Sequence, residues 1–498
     1  MRKITIFAIA GLLAFASVYA APQGNAVQTA ATTLGAANIK TLQFTGSGRN
    51  FSVGQNYAPN EAWPPVPVKN YTALINYDTA SMRLELLREV TGPTMPRGGG
   101  APISGEQRQI QVVSGNYAWN VPVPPANAPA GAAAPPAAAA PDAQLERMLA
   151  LWATPQGFVK AAMANNATTR SAKGGTEVSF TVGGKYKMIG TINAQGQVEK
   201  VQTWIDHPIV GDMPVETTYS GYKDFGGVQF PSHIVQTQDG YPSLDITISA
   251  VTANPQVNIT VPDNVRSFTP PAVRVDSKQM GEGVYYLTGG SHHSLAIAMK
   301  DHIVVVDTPN NEARAIAVLA KAKELIPGKP IRYVVTSHHH WDHLGGIRAA
   351  MDEGATIVTH QMNKPYYEQA WAAPHTLNPD KLAQSKKAAT FETFSNKHVL
   401  TDGTRTIEIH EIAGSGHSDG FLMIYLPKEK ILIEVDAYTP AAADAPPPAT
   451  PNPFSVNLYE NIQRLKLDVA QIAALHGPRL TTMADLRTTI GVAGRATN

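Results

Sequence analysis

The spacing of apolar positions changes character along this chain of 498 residues. From about residue 42 to 261, apolar and polar side chains alternate in short runs, as at Val178, Phe180 and Val182; that period of two belongs to strands with one buried face. Glycine and Asn/Asp clusters separate the runs, at Gly183-Gly184, 193–196, 224–227 and Asp239-Gly240. The segment therefore predicts a strongly curved antiparallel sheet. Inside it, Leu145, Met148, Leu149 and Trp152 share one helical face, and Asp142 is placed to cap that helix, which would cover the sheet.

After residue 276 the pattern becomes layered. IRYVVT at 331–336 and ILIEVD at 431–436 are short β-branched runs that read as buried strands. Between strands, a helix follows Asn310 to Ile326, with Ile316 and Leu319 inward and Pro327-Gly328 ending it. A second spans 457–467 with Leu458, Ile462 and Leu465 on one face, and a third starts near Thr482 with Asp485 three residues on. The whole reads as α+β in two domains: a β-rich unit over 21–265 and a unit over 276–498 built of two mixed sheets between helices, an αββα sandwich. The Pro-containing stretch 262–275 reads as the linker. A Pro/Ala tract at 121–141 has no bulky side chains to bury and reads as an extended, mobile insertion. A second Pro/Ala segment, 440–453, follows Asp436 and Tyr438 and is either a lid or an inert surface loop.

Composition narrows the setting. Charged residues are 16% and the net charge is +1, with no basic stripe, so there is no electrostatic case for nucleic acid as a partner; a small-molecule substrate is expected. Met1-Arg2-Lys3, an apolar run over 4–17 and Val18-Tyr19-Ala20 have the three parts of a secretory signal peptide over 1–20. The run is shorter than the ~20 apolar residues of a spanning helix, so the expected product is secreted across the inner membrane to a bacterial periplasm, with no transmembrane segment once the signal is removed. With Cys 0, it owes nothing to disulfides there.

The densest chemistry lies at 336–346 (TSHHHWDHLGG), four candidate metal ligands in H-x-H-x-D-H spacing after a strand. Residues two apart on an extended chain point the same way, so His338 and His340 can share one ion while His339 points elsewhere. Asp342 and His343 follow the turn toward a second ion. Imidazole and carboxylate suit Zn²⁺. His292 and His293, after Gly289-Gly290-Ser291, either line such a site or face solvent; His360 and His410 read as structural or exposed.

From about residue 283 to 477 the chain resembles the metallo-β-lactamase-fold metallo-hydrolases, with landmarks in order: VVVDTP at 304–309, GHSDG at 416–420, ILIEVD at 431–436 and LHG at 475–477. That resemblance implies one zinc on His338, His340 and His417, a second on Asp342, His343 and His476, Asp436 bridging both, and Asp307 holding a ligand histidine through its second ring nitrogen. It also implies a dinuclear zinc hydrolase in which hydroxide attacks an ester, lactone, thioester or phosphodiester-type bond, with Asp342 orienting the nucleophile and moving its proton. The lack of cysteine excludes the cysteine-liganded β-lactamases; the carboxylate at 436 favours the broader group of lactonases, thioesterases and phosphodiesterases over β-lactam cleavage. The short stretch after His476 leaves no room for the helical domain of glyoxalase II enzymes. The first domain resembles, in outline only, periplasmic lipid or lipoprotein carriers built as half-barrels; no residue motif carries that likeness, so a structural or dimerising role is expected of it first, and the alternative function of the chain is a ligand-binding or carrier protein with a non-catalytic metal domain.

Overall fold

In a computed structural model the described residues are 25–90, 97–100, 105–124 and 135–492. The expected leader over 1–20 and residues 125–134 of the Pro/Ala tract lie outside them.

The alternating segment forms one antiparallel sheet of 13 strands. At its centre strand Thr41–Phe51 pairs with Tyr241–Ala253, so Leu42 faces Ala253, and the remaining strands extend to either side in chain order. Alternation puts one face inward: along Val198–His207, Val198, Val201, Thr203 and Ile205 are buried while Glu199 and Asp206 are exposed. Three helices, Asn25–Thr33, Gln144–Ala153 and Pro155–Ala164, contribute Ala30, Leu149 and Phe158 to the same core as Phe44, Ile75, Val201 and Phe230, where one covering helix was expected.

Two local expectations are corrected. Asp142 caps nothing: it sits inside a 3-10 turn, Pro141–Ala143, and the helix after it starts on Ala143 without a side-chain cap. Pro141 opens this turn, and so moves Asp142 from the cap position into it. Nor is 121–141 wholly an insertion, because Ala138–Ala139 pairs with Trp119 and Asn120 as the sheet's edge. Alanine needs no side-chain partner at an edge, where backbone hydrogen bonds alone define the strand.

The second unit has a seven-stranded and a five-stranded sheet. Ile303–Val306, Ile331–Val335 and Thr356–His360 run parallel, and every residue of Ile303–Val306, Leu422–Leu426 and Ile431–Glu434 is buried, as strands covered on both faces must be. Successive residues serve different cores: Val304, Val306 and Val335 meet Ile409, Ile424 and Ile433 of the other sheet, whereas Val305 and Val334 pack on Val318, Leu319 and Ile347 of the outer helices. Leu458, Ile462 and Leu486 cover the second sheet's far side. This is the αββα sandwich.

Two of the three expected helices start a few residues from where the sequence placed them, and the third starts as expected. The first, Glu312–Leu325, is capped by Asn311, whose side chain accepts from Arg314 N at 3.0 Å. The second, Pro453–Arg464, begins inside the expected loop because Asn452 caps it and Pro453 has no N–H to satisfy. The third carries the Thr482/Asp485 capping box. Among the described residues no helix is long and apolar enough to cross a membrane.

Candidate metal centre

Strand ends build the site. Parallel pairing sets Val306 beside Val335 and Glu434 beside Ala474, so Asp307, His338, Asp436 and His476, each one to three residues beyond those pairs, emerge on one rim. His417 joins them from the loop between Thr406–Glu411 and Leu422–Leu426. Asp307 turns out of its strand in the left-handed region, φ 55°, a conformation Asp tolerates better than most residues. Val335 O fixes its N–H at 2.9 Å, and its carboxylate accepts from Ser337 N and Ser337 Oγ, both at 2.7 Å. Its Oδ2 also lies 3.3 Å from His343 Nδ1, which leaves Nε2 of that ring facing Asp436.

Ligand atoms of His338, His340, His417 and Asp436 lie within 4.8 Å of one another, and those of His292, Asp342 and His343 form a second such group. With Zn–N bonds of about 2.0–2.1 Å, the donors of a tetrahedral ion stand roughly 3.3 Å apart. Here His338 Nε2 and His417 Nε2 are 3.2 Å apart, and Asp436 Oδ2 is 3.2 Å from His417 Nε2 and 3.5 Å from His338 Nε2. The other oxygen, Asp436 Oδ1, is 3.2 Å from His343 Nε2. One carboxylate thus faces both groups, and the donor set fits a metal ion.

The charges fit as well. Burial, reinforced by the neighbouring histidines, lowers His338 to about 4 and His339 to about 3, and drives His340 well below its ordinary range, so these rings are neutral and keep a lone pair. His343 goes the other way: burial opposes its charge, but Asp436, Asp307 and Asp342 around it overcome that and hold it well above. Burial would raise Asp342 and Asp436; the His292 contact and His343 lower the first, and His343 with His338 lowers the second. Carboxylates converging out of water demand positive charge, which a cation supplies. Two residues before Asp436, Glu434 is wholly buried and pushed well above its usual range by that burial, so it packs as a neutral acid.

His476 reaches the rim but is not in the second group of ligand atoms; His292 is. A backbone bridge pairs the two residues, their rings lie 4.5 Å apart, and His292 is 4.8 Å from the ring of His343. His292 Nε2 stands 3.3 Å from Asp342 Oδ2. His293 turns away, bonding Gly477 O at 2.8 Å. His410 pairs with Glu408 at 2.9 Å and His360 is buried near Glu411, 3.7 Å away; both are structural. Residues 441–450 are exposed throughout. Unanticipated are Gln55 and Asn56 of the first domain, which touch Asp342 and His340; nothing in their polar surroundings distinguishes them from turn residues.

Residues 287–433 match the family model "Metallo-beta-lactamase superfamily", a stretch that contains Asp307, the 338–343 motif and His417 and stops before Asp436 and His476. Similar solved structures include a metallo-beta-lactamase from Pontibacter korlensis, at 19% identity over 44% of this chain and 98% of that one with a TM-score of 0.33. FIM-1 from Pseudomonas aeruginosa, in a mono-zinc form, gives 19% identity over 45% and 96% with a TM-score of 0.34. No curated protein matches the chain. The family match, the two-sheet sandwich and the His/Asp rim together make the C-terminal unit a metallo-β-lactamase-fold domain of the metallo-hydrolase superfamily.

Proposed function

We propose that this protein is an exported dinuclear zinc hydrolase acting on a small ester, lactone, thioester or phosphodiester. The observation that carries this reading is the Asp436 carboxylate, with Oδ2 toward His338 and His417 and Oδ1 toward His343, since a closed mononuclear structural site has no use for a carboxylate shared in two directions. One cation would take His338, His340 and His417, the other Asp342 and His343 with His292 and His476 beside them, Asp436 serving both. When bound, such cations polarise a carbonyl or phosphoryl oxygen and lower the pKa of water from about 15.7 to roughly 7. The chain's own residues then orient and exchange protons: Asp342, 32% exposed on its side chain against 13% for Asp436, is the more open acidic group of the centre and is placed to orient the nucleophile. Asp307 holds the His343 ring through Nδ1. The N-terminal signal pattern supports export to the periplasm.

Metal analysis of the purified chain tests the stoichiometry, and a panel of lactone, thioester, phosphodiester and β-lactam substrates tests the bond. Two equivalents of zinc, with turnover lost in Asp342→Asn, are expected; one equivalent or none, with no turnover across the panel, would refute the reading.

A cavity of about 320 Å³ in the first domain, walled by Phe44, Tyr71, Met82, Phe230 and Ile234, favours a second reading, a ligand carrier with a non-catalytic metal domain. It lies within the volume range of small-molecule sites, about 300–1,000 Å³. Binding of a fluorescent fatty acid, unchanged by metal removal and unaccompanied by turnover, would support the carrier.

A further inference from the structure

Residues 52–64 leave the first domain's sheet after Phe51, return to it at Pro65 and cross the metal rim between. Their polar groups are spent on the other domain. Gln55 Nε2 donates to Asp342 Oδ1 at 2.9 Å. Asn56 O accepts from His340 Nε2 at 2.8 Å and from His339 Nε2 at 3.0 Å. Gly54 O accepts from Trp341 N at 3.2 Å and Tyr57 O from Asp419 N at 2.8 Å. The loop is pinned from behind: Gly99 N donates to Gln55 O at 2.8 Å, and Trp63 meets the Trp341 ring edge-on at 5.4 Å. Gly54, at φ 75°, brings its backbone so near that a Cβ would lie 2.5 Å from Trp341 Cδ2; a side chain there forces the loop off the rim.

A carbonyl only accepts, so His340 carries its proton on Nε2, and a neutral imidazole has just one. Its Nδ1 therefore keeps a lone pair. That atom is buried with no hydrogen-bond partner among the described residues, on a ring grouped with His338, His417 and Asp436. Likewise, the Gln55 amide occupies Asp342 Oδ1 and leaves Oδ2 toward His292.

We infer that this first-domain loop is part of the metal centre: the Asn56 carbonyl sets the ligating tautomer of His340, and Gln55 is a positioning residue for Asp342. Cation affinity then depends on the docking of the two domains. The inference rests on the dinuclear reading above. Groups that orient metal ligands typically govern affinity by about 10–100-fold.

Full-length chain stripped of metal is titrated with Zn²⁺ against a chromophoric chelator, and its metal-free Tm is measured alongside. Gln55→Leu, which keeps volume but loses the amide, should weaken one of the two cations by about 10–100-fold at an unchanged metal-free Tm. Gly54→Ala should weaken both cations, because it displaces the Asn56 carbonyl along with Gln55. Should Gln55→Leu not fold, Gln55→Asn, one methylene too short to reach, is read the same way. Wild-type affinities in both the Gln55 and Gly54 variants would overturn the inference and leave the dinuclear reading intact; a wild-type chain that takes up no zinc removes both.

Discussion

Strand burial separates the two halves of the molecule. In Gly211–Asp224 of the first domain, buried and partly exposed residues alternate at the start and the far end lies open, whereas Leu422–Leu426 of the second is buried at every position. A sheet with one wet face holds its core on the other, and among the described residues the candidate metal-ligand groups all lie outside it. A sheet covered on both faces has only its rims left for polar groups, and there the second domain collects its histidines and aspartates. The first domain takes part through a loop and not through its sheet.

Variants that strike one half and spare the other test this division. Asp436→Asn should have the largest effect: one charge is lost to both ligand groups, so zinc uptake of both equivalents and turnover should fall by two orders of magnitude or more, about the upper end for loss of a metal-orienting group, while the first domain's fold persists by circular dichroism. Phe158→Ala is the converse. Its ring is fully buried against Phe180, 5.2 Å away, so denaturant unfolding should show a loss of about 3–5 kcal/mol with zinc stoichiometry intact. If Phe158→Ala removes metal as well, the halves are not separable.

A sharper comparison sets His292→Ala against His476→Ala. Ligand-atom grouping places His292 with Asp342 and His343, so zinc titration should find the second cation weakened at least as much by His292→Ala as by His476→Ala; an effect confined to His476→Ala would return the second site to the assignment implied by family resemblance.

The smallest effect concerns the seam. His207 lies 4.0 Å from the Trp341 ring, and burial, with a contribution from His375, lowers it to about 3. Unfolded, the ring titrates near 6.5. The folded state therefore binds fewer protons, and the stability that His207 contributes is whole above about pH 6.5 and is lost as pH falls toward 3. In urea melts across that window, His207→Phe should have a flatter stability profile than wild type; parallel profiles would exclude His207 as a source of the acid sensitivity.

Much of the site was legible because its residues announce themselves. H-x-H-x-D-H follows a β-branched run, and His417, Asp436 and His476 each follow a strand-like segment, so their arrival on one rim follows from strand order. His292 was ambiguous in sequence, since a histidine after Gly-Gly-Ser is equally at home in solvent; it is the backbone bridge to His476 that carries it into the site. Asp142 had the composition of a cap and is none, because proline at 141 moved the turn.

By itself the sequence determined the two sheet types, the order of the elements and the 338–343 run where candidate ligands concentrate, since periodicity and residue chemistry report what each segment must bury or bind; the candidates at 417, 436 and 476 came from family resemblance. Only the tertiary structure decided that Thr41–Phe51 pairs with Tyr241–Ala253, and that Gln55 and Asn56 stand on Asp342 and His340 across 287 and 284 positions of chain. Backbone carbonyls and a single amide leave no periodic trace, and a contact that depends on two domains docking has no local signal to read.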